Sequence, residues 1–373
     1  MSVQHKHNFG AGPCILPGAV LEKAASAVLD WNGMGLSILE VSHRSAEFEE
    51  VTIRVEALVR ELLGVPGDYA VLFLQGGASS QFSMVPQNFM PASGNRTPVY
   101  LDSGYFALKA MAEASIYGKI NIAASSMDRK YTYIPKNYKV NSDAAYFHMT
   151  SNNTIEGTQV FDIPKTGVPL ICDMSSDIFS RRINVCDFDL IYAGAQKNLG
   201  PAGMTLVIAK KALINLVDKL LPSMADYRVH ERNGSLYNTP PVFSIYVAML
   251  NLQWLKEQGG IQAIEKLSIE KADMLYEAID KSSIFYGLAE KGDRSRMNVT
   301  FKCYDPLLEE KFLNYASERG IVGIKGFWSV GGFRASMYNG LPLFSVAHLV
   351  KVMSHFEKLQ ELKAINASQK SMV

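Results

Sequence analysis

Cysteine is scarce in this chain: Cys14, Cys172, Cys186 and Cys303 are scattered over 373 residues with no CxxC pair. That usage fits a reducing compartment better than a disulfide-stapled secreted fold, and it lacks zinc-finger spacing. Excess charge is missing as well, with 37 Lys plus Arg against 36 Asp plus Glu. Without a basic surplus there is little to release counterions from a polyphosphate backbone, so nucleic acid is not an expected partner. No apolar run approaches the ~18 residues that a membrane helix needs. At the N-terminus, Gly10, Gly12, Pro13 and Pro17 interrupt what would have to be a signal core. Internal repeats, low-complexity tracts and Ser/Gly linkers are absent too. These absences predict a soluble cytoplasmic protein whose lobes are fixed by packing, with no metal site.

What is present is a globular composition, 48% hydrophobic and 20% charged, on a chain long enough for two lobes. Short apolar runs alternate with helical patterns through the first two thirds. This predicts an α/β fold with a mostly parallel sheet between helices. Ala46 to Leu63 carries a helical stripe (Phe48, Val51, Val55, Leu58, Val59, Leu62) closed by Gly64. Tyr69 to Leu74 runs into Gly76-Gly77-Ala78-Ser79-Ser80, a strand, a glycine turn and a helix start. Further strands are expected at 98–102, 145–150, 169–173, 190–193 and 204–209, with a helix over 106–117. Residues 243–279 read as helical, broken at Gly259-Gly260. Strands over 285–289, 297–303, 320–324 and 332–337, with helices over 306–317 and 345–359, describe a smaller α+β lobe. The last ten residues look frayed.

The chemistry concentrates in two stretches. Asp173 ends one buried strand, and Lys197 follows the next, in Gln196-Lys197-Asn198 ahead of Gly200-Pro201-Ala202-Gly203. Both fall at one edge of the sheet, where parallel sheets bind ligands. A pyridoxal phosphate enzyme needs such a pair: an amine to bond the cofactor aldehyde and a carboxylate to keep the pyridine nitrogen protonated. The bland alternative for Lys197 is a solvated loop lysine. The glycine turn offers free N–H groups and a helix dipole to a phosphate, although many such turns serve packing alone.

The segments NFGAGPCILP, LSILEVSHRS, GGASSQF, NNTIEG, DMSSDIFSRRI, YAGAQKNLGPAG, NGSLYNTPP, DRSRMNVTF and VGGFRAS, in this order, resemble the class V aminotransferases, and within them the branch that acts on phosphoserine. The resemblance spans nearly the whole chain. It implies fold type I with a seven-stranded sheet, a large domain over 16–258, and a small domain from 1–15 and 259–373. It implies pyridoxal 5'-phosphate, a homodimer with shared active sites, and transfer of an amino group from glutamate to 3-phosphohydroxypyruvate, giving phosphoserine and 2-oxoglutarate in serine biosynthesis.

Carried over by position, the resemblance makes Lys197 the Schiff-base lysine and Asp173 the partner of the ring nitrogen. Ala78, Ser79 and Gln196 contact the cofactor phosphate, and Asn238 and Thr239 reach it from the other subunit. Thr154 bonds the ring hydroxyl, and Phe106 stacks where the family usually has Trp. Arg334 clamps the substrate α-carboxylate, while His43 and Arg44 hold the distal phosphate or carboxylate. Each has a plainer alternative: a turn threonine for Thr154, a core aromatic for Phe106, an ion-paired arginine for Arg334 and a solvated pair for His43-Arg44.

One stretch departs from the family. Where members commonly read Lys-Gly-His-Arg, this chain has Lys325-Gly326-Phe327-Trp328. Charge-assisted bonds to a dianion are worth about 1.5–3 kcal/mol each. Phosphoserine then depends on His43 and Arg44, or the chain is a paralogue for a less anionic or aromatic amino acid, or the two aromatics fill a dimer seam. A desulfurase on the same fold would need a mobile cysteine near the cofactor, and none is expected. A binding protein without activity sits poorly with Lys197, Asp173 and Arg334 together.

Overall fold

The structure is a computed structural model that describes residues 6–91 and 95–370. Seven strands form its central sheet: β1 (Tyr69–Leu74), β2 (Val99–Asp102), β3 (Asn121–Ser125), β4 (Phe147–Thr150), β5 (Leu170–Asp173), β6 (Leu190–Gly194) and β7 (Thr205–Lys210). Their spatial order is β1-β7-β6-β5-β4-β2-β3, parallel throughout except β7, which runs against both neighbours. Covered on both faces, β4, β5 and β6 are buried at every position, which is why they read as continuous apolar runs instead of alternating ones. The α/β fold with a mostly parallel seven-stranded sheet is the one expected from the sequence.

Local chemistry sets the helix ends. The helix Ala46–Leu63 starts where the Ser45 hydroxyl accepts the Phe48 N–H, with Glu47 and Glu49 in its positive first turn, and stops at Gly64 in the left-handed region. Its apolar stripe packs on Val242–Glu257, a helix buried nearly all round. Gly259-Gly260 then breaks the path as expected. The next helix, Gly260–Lys281, spans two cores. Ile261 and Ile264 belong to the large one, and Ala272, Leu275 and Ile279 to the smaller. Lys271 on this helix is fully buried, its Nζ donating to the carbonyls of Met337, Tyr338 and Leu341 at 3.0, 3.0 and 3.1 Å.

The smaller core lies under an antiparallel sheet of β8 (Phe285–Gly287), β9 (Asn298–Cys303) and β10 (Phe333–Ser336), covered by helices Leu307–Ser317 and Leu343–Lys370. The N-terminal segment joins it. His7-Asn8 pairs in parallel with Ile321-Val322, and Phe9 and Ile15 pack in the smaller core, whereas Leu16 packs on the large one.

Three local expectations change. The C-terminal helix continues to Lys370, so most of the segment read as frayed is helical; residues 371–373 lie outside the described ones. Strand β3 was not anticipated, because it lies at the sheet edge and three of its five side chains are exposed, leaving little apolar signal. The helix Gly18–Leu29 was also missed, although Pro17 precedes it and Val20, Ala24 and Ala27 mark its buried side.

A hairpin, Asn152-Asn153 paired with Thr158-Gln159, adds a polar tie between the two cores. Asn152 Nδ2 donates to Asn298 Oδ1 at 2.8 Å, Ser295 Oγ donates to Asn152 Oδ1 at 2.5 Å, and Thr300 Oγ1 donates to the Glu156 carbonyl at 2.8 Å. Gly157 is what lets the strands approach. At φ +79°, a Cβ there would stand 2.5 Å from Thr300 Oγ1 and 2.9 Å from the Asn298 carbonyl. Gly157→Ala is therefore expected to destabilise the fold by about 1–3 kcal/mol. A calorimetric scan showing an unchanged thermal midpoint would contradict this clamp.

Candidate active site

Strands β5 and β6 deliver their C-terminal ends side by side, with Asp173 opposite Tyr192 in the ladder. Past β6 the chain turns sharply through Ala195-Gln196-Lys197, and Lys197 folds back under cover, 8% exposed. Its Nζ donates to Thr154 Oγ1 at 2.7 Å and stands 5.2 Å from the centre of the Phe106 ring. Burial disfavours the ammonium and, helped by Arg334, outweighs the pull of Asp173, so the amine falls to about 8. A lysine in this state is half neutral at about pH 8, so far more of it than of an ordinary lysine is present at physiological pH in the neutral form that attacks a carbonyl carbon. The solvated alternative for Lys197 does not hold.

Asp173 is 4% exposed and accepts the Ser175 backbone N–H at 2.8 Å. Burial pushes its carboxyl up, against the opposing pull of the Ser175 contacts and Lys197. A cation beside it would favour its charged form, which is what a protonated ring nitrogen provides. Beneath the strand ends lies a buried polar bed. Ser151 Oγ donates to Asp177, whose carboxylate also takes Arg181, and His148 Nε2 pairs with Tyr192 Oη at 2.8 Å.

Arg334 lies on β10 directly across the ladder from Thr300, and its Nε has no hydrogen-bond partner among the described residues. A half-buried guanidinium with a buried N–H left unpaired in this way suits a carboxylate. Gln196 sits beside Lys197 with its amide against Gly194. Ala78 and Ser79 occupy the first turn of the helix Gly77–Phe89. Gly76 precedes it at φ +89°, where a Cβ would overlap Ser80 Oγ at 1.8 Å. Ser79 is exposed, and the first-turn N–H groups of this helix start carry the positive end of its dipole, which suits an anion.

The remaining expected residues stand on the outer edge. Asn238 lines a cleft of about 590 Å³ with Gly76 and Ser80, and the Thr239 carbonyl accepts Gln75 Nε2 at 2.8 Å. His43 and Arg44 line a neighbouring cleft with Phe73 and Asn233, away from Lys197. Within one chain they therefore do not join the Lys197 group. Phe327 packs against Tyr105, the residue before Phe106, with ring centres 5.3 Å apart and planes tilted by 56°, while Trp328 is 80% exposed. Among the described residues no cluster of His, Cys, Asp and Glu could hold a metal ion, and no helix is long and apolar enough to cross a membrane.

Two features escaped the sequence reading. Cys14, set aside there, donates its Sγ–H to the Lys197 carbonyl at 2.6 Å, but burial pushes the thiol up to about 12, so it fastens the lysine turn and is no nucleophile. Glu156 is buried one residue beyond Ile155 in the hairpin that carries Thr154; its position inside NNTIEG was the only signal available.

A family model described as aminotransferase class-V matches residues 6–339. The chain belongs to the class V aminotransferases. Among its relatives, phosphoserine aminotransferase of Bacteroides thetaiotaomicron is 52% identical over 356 residues, covering 95% of this chain and 99% of that one. The Flavobacterium johnsoniae protein of the same name is 53% identical over 353 residues, covering 94% and 99%. Of solved structures, phosphoserine aminotransferase from Bacillus circulans subsp. alkalophilus superposes with a TM-score of 0.93 at 44% identity, covering 96% of this chain and 99% of that one. The PLP-bound phosphoserine aminotransferase from Trichomonas vaginalis gives 0.89 at 38%, covering 94% and 100%.

In this class V chain the depressed Lys197 amine has a direct test. Arylation of cofactor-free protein by fluorodinitrobenzene, located by peptide mapping, is expected to rise with pH and level off above about 8 at Lys197. Levelling only where ordinary lysines do, above ~10, would contradict the assignment.

Proposed function

We propose that this chain is a pyridoxal-phosphate-dependent phosphoserine:2-oxoglutarate aminotransferase, acting on phosphoserine and 3-phosphohydroxypyruvate with glutamate and 2-oxoglutarate. The observation that carries the reading is the buried amine of Lys197, lowered to about 8 and framed by Thr154, Phe106 and Asp173, in a chain half identical to enzymes of that name. The residues fit the cofactor: a neutral-capable amine, a buried carboxylate short of a cation, an aromatic face, and a glycine turn open to an anion.

When bound, pyridoxal phosphate supplies an aldehyde that condenses with amines and a protonated ring that accepts electrons from the substrate Cα. Lys197 would hold the cofactor, and its Nζ would take the substrate Cα proton and return it within the site. Thr154 Oγ1, hydrogen-bonded to Nζ at 2.7 Å, fixes where that amine rests. Asp173 would supply the negative charge for the ring nitrogen, and Phe106 the aromatic face for the ring. Ala78, Ser79 and Gln196 would take the cofactor phosphate, and Arg334, with its unpaired Nε, the substrate α-carboxylate.

The division at 16–258 against 1–15 and 259–373 puts Lys197 and Asp173 on the large body and Arg334 on the small one, so substrate is held between them. The active unit is a homodimer in the cytoplasm. His43, Arg44, Asn238 and Thr239, on the outer clefts of one chain, complete the site of the other, where His43 and Arg44 meet the distal phosphate.

Two experiments test this. Lys197→Ala should lose both the visible absorbance of bound cofactor and the conversion of glutamate to 2-oxoglutarate; keeping either would remove the central assignment. Mixing Lys197→Ala chains with a His43→Ala/Arg44→Ala double variant should restore activity that neither has alone, because one site of each mixed dimer is whole. No gain on mixing, with mixed dimers demonstrated, would place His43 and Arg44 outside the shared site.

A further inference from the structure

Glu156 is a carboxyl that the mechanism above leaves without a task. It is 6% exposed, in the hairpin that carries Thr154. One oxygen, Oε1, accepts the Tyr105 N–H at 2.8 Å and so caps the helix Tyr105–Tyr117 that presents Phe106. The other, Oε2, has no hydrogen-bond partner among the described residues and fills the space beside Gly104, 2.8 Å from where a Cβ would stand. Its backbone carbonyl takes Thr300 Oγ1, and Thr300 is the rung opposite Arg334. Across such a rung side chains share a face about 5 Å apart, so Thr300 links the Glu156 backbone to the face that carries Arg334; the two side chains make no direct ion pair, with Glu156 Oε2 and Arg334 Nε both unpartnered among the described residues, and they act on each other through space.

We propose that Glu156 is a positioning residue that acts as the counter-charge of Arg334 between turnovers, and that an arriving substrate carboxylate replaces it, leaving Glu156 to take up a proton. This rests on the reading of Arg334 as the carboxylate clamp. Two anions cannot share one guanidinium in a buried site without cost, so the poorer competitor is neutralised. The charged and titratable groups facing Glu156 are Arg334, Asp102 and Tyr131. Asp102 also leaves one buried oxygen unpartnered, with the other taken by Ser125. Burial, reinforced by Asp102 and opposed by Arg334, holds Glu156 at about 7, so the exchange of charge for a proton falls in the working range.

The sign follows from linkage. A ligand that prefers neutral Glu156 binds most tightly below about 7 and more weakly as pH rises, by up to roughly tenfold per unit. Glutarate serves as probe, a dicarboxylate without an amino group and hence unable to react. Its binding to the cofactor-loaded enzyme is followed by calorimetry in buffers of different protonation enthalpy, which counts protons taken up. Wild type is expected to take up protons on binding near pH 7.5, with affinity falling between pH 7 and 8.5. Glu156→Gln keeps an oxygen for the Tyr105 N–H and removes the charge; it should bind glutarate several-fold more tightly at pH 8 and take up fewer protons. Asp102→Asn, which removes a charge that raises Glu156, should move the affinity loss to lower pH.

Equal proton uptake in wild type and Glu156→Gln, or an unmoved profile in Asp102→Asn, would overturn the role of Glu156. Should Glu156→Gln fail to fold, the wild-type proton count and the Asp102→Asn profile still decide it. The clamp itself is judged separately with Arg334→Lys: unchanged glutarate affinity there would remove the reading of Arg334, whereas lost affinity together with a flat wild-type pH profile would remove only the proposal about Glu156.

Discussion

Everything at this site depends on taking one lysine amine out of water. An ammonium prefers solvent, and the fold overrides that preference by closing Lys197 between the ends of β5 and β6, the Thr154 hydroxyl and the Phe106 ring. The apolar β6 strand before it and the tight turn after it leave the side chain no exit. Asp173 and Arg334 then set the balance from opposite signs, one pulling the amine up and the other pushing it down. The outcome is a group that is reactive near neutral pH because of where the chain puts it.

The second constraint is polar. The hairpin around residues 152–159 is buried and hydrogen-bonded outward to the small body at Ser295, Asn298 and Thr300. The same hairpin carries Thr154 to Lys197 and Glu156 to the Tyr105 N–H. Distances between the amine on one body and the guanidinium on the other are thus fixed through a few fully satisfied amides, whose strength depends on exclusion of water. Asn198 extends the same logic: beside Lys197 in sequence, its Oδ1 accepts the Asn339 N–H at 3.0 Å, tying the lysine turn to the segment that follows β10.

Much of this was legible in the sequence. Buried parallel strands announce themselves as unbroken apolar runs, and an Asp and a Lys closing successive strands pointed to one sheet edge before any coordinates. The helix over 46–63 carried its own stop signal in Gly64. What was not legible depended on tertiary placement. Asn121–Ser125 has too few apolar residues to read as a strand until its partner is known. Cys14 gave no sign that it fastens the Lys197 turn, 183 residues away. Glu156 looked like one more loop acid, since nothing in NNTIEG says which way its carboxyl is buried. Phe327 and Trp328 were visible as a departure, but only the structure puts the first against Tyr105 and leaves the second exposed.

The most direct test of the account is a steady-state comparison of phosphoserine with unphosphorylated amino acids, aromatic ones included, as donors to 2-oxoglutarate. The account predicts that phosphoserine leads in kcat/KM by about 10³ or more, a margin near 4 kcal/mol. An uncharged or aromatic amino acid in the lead would contradict it and mark Phe327 and Trp328 as the wall of a different substrate pocket.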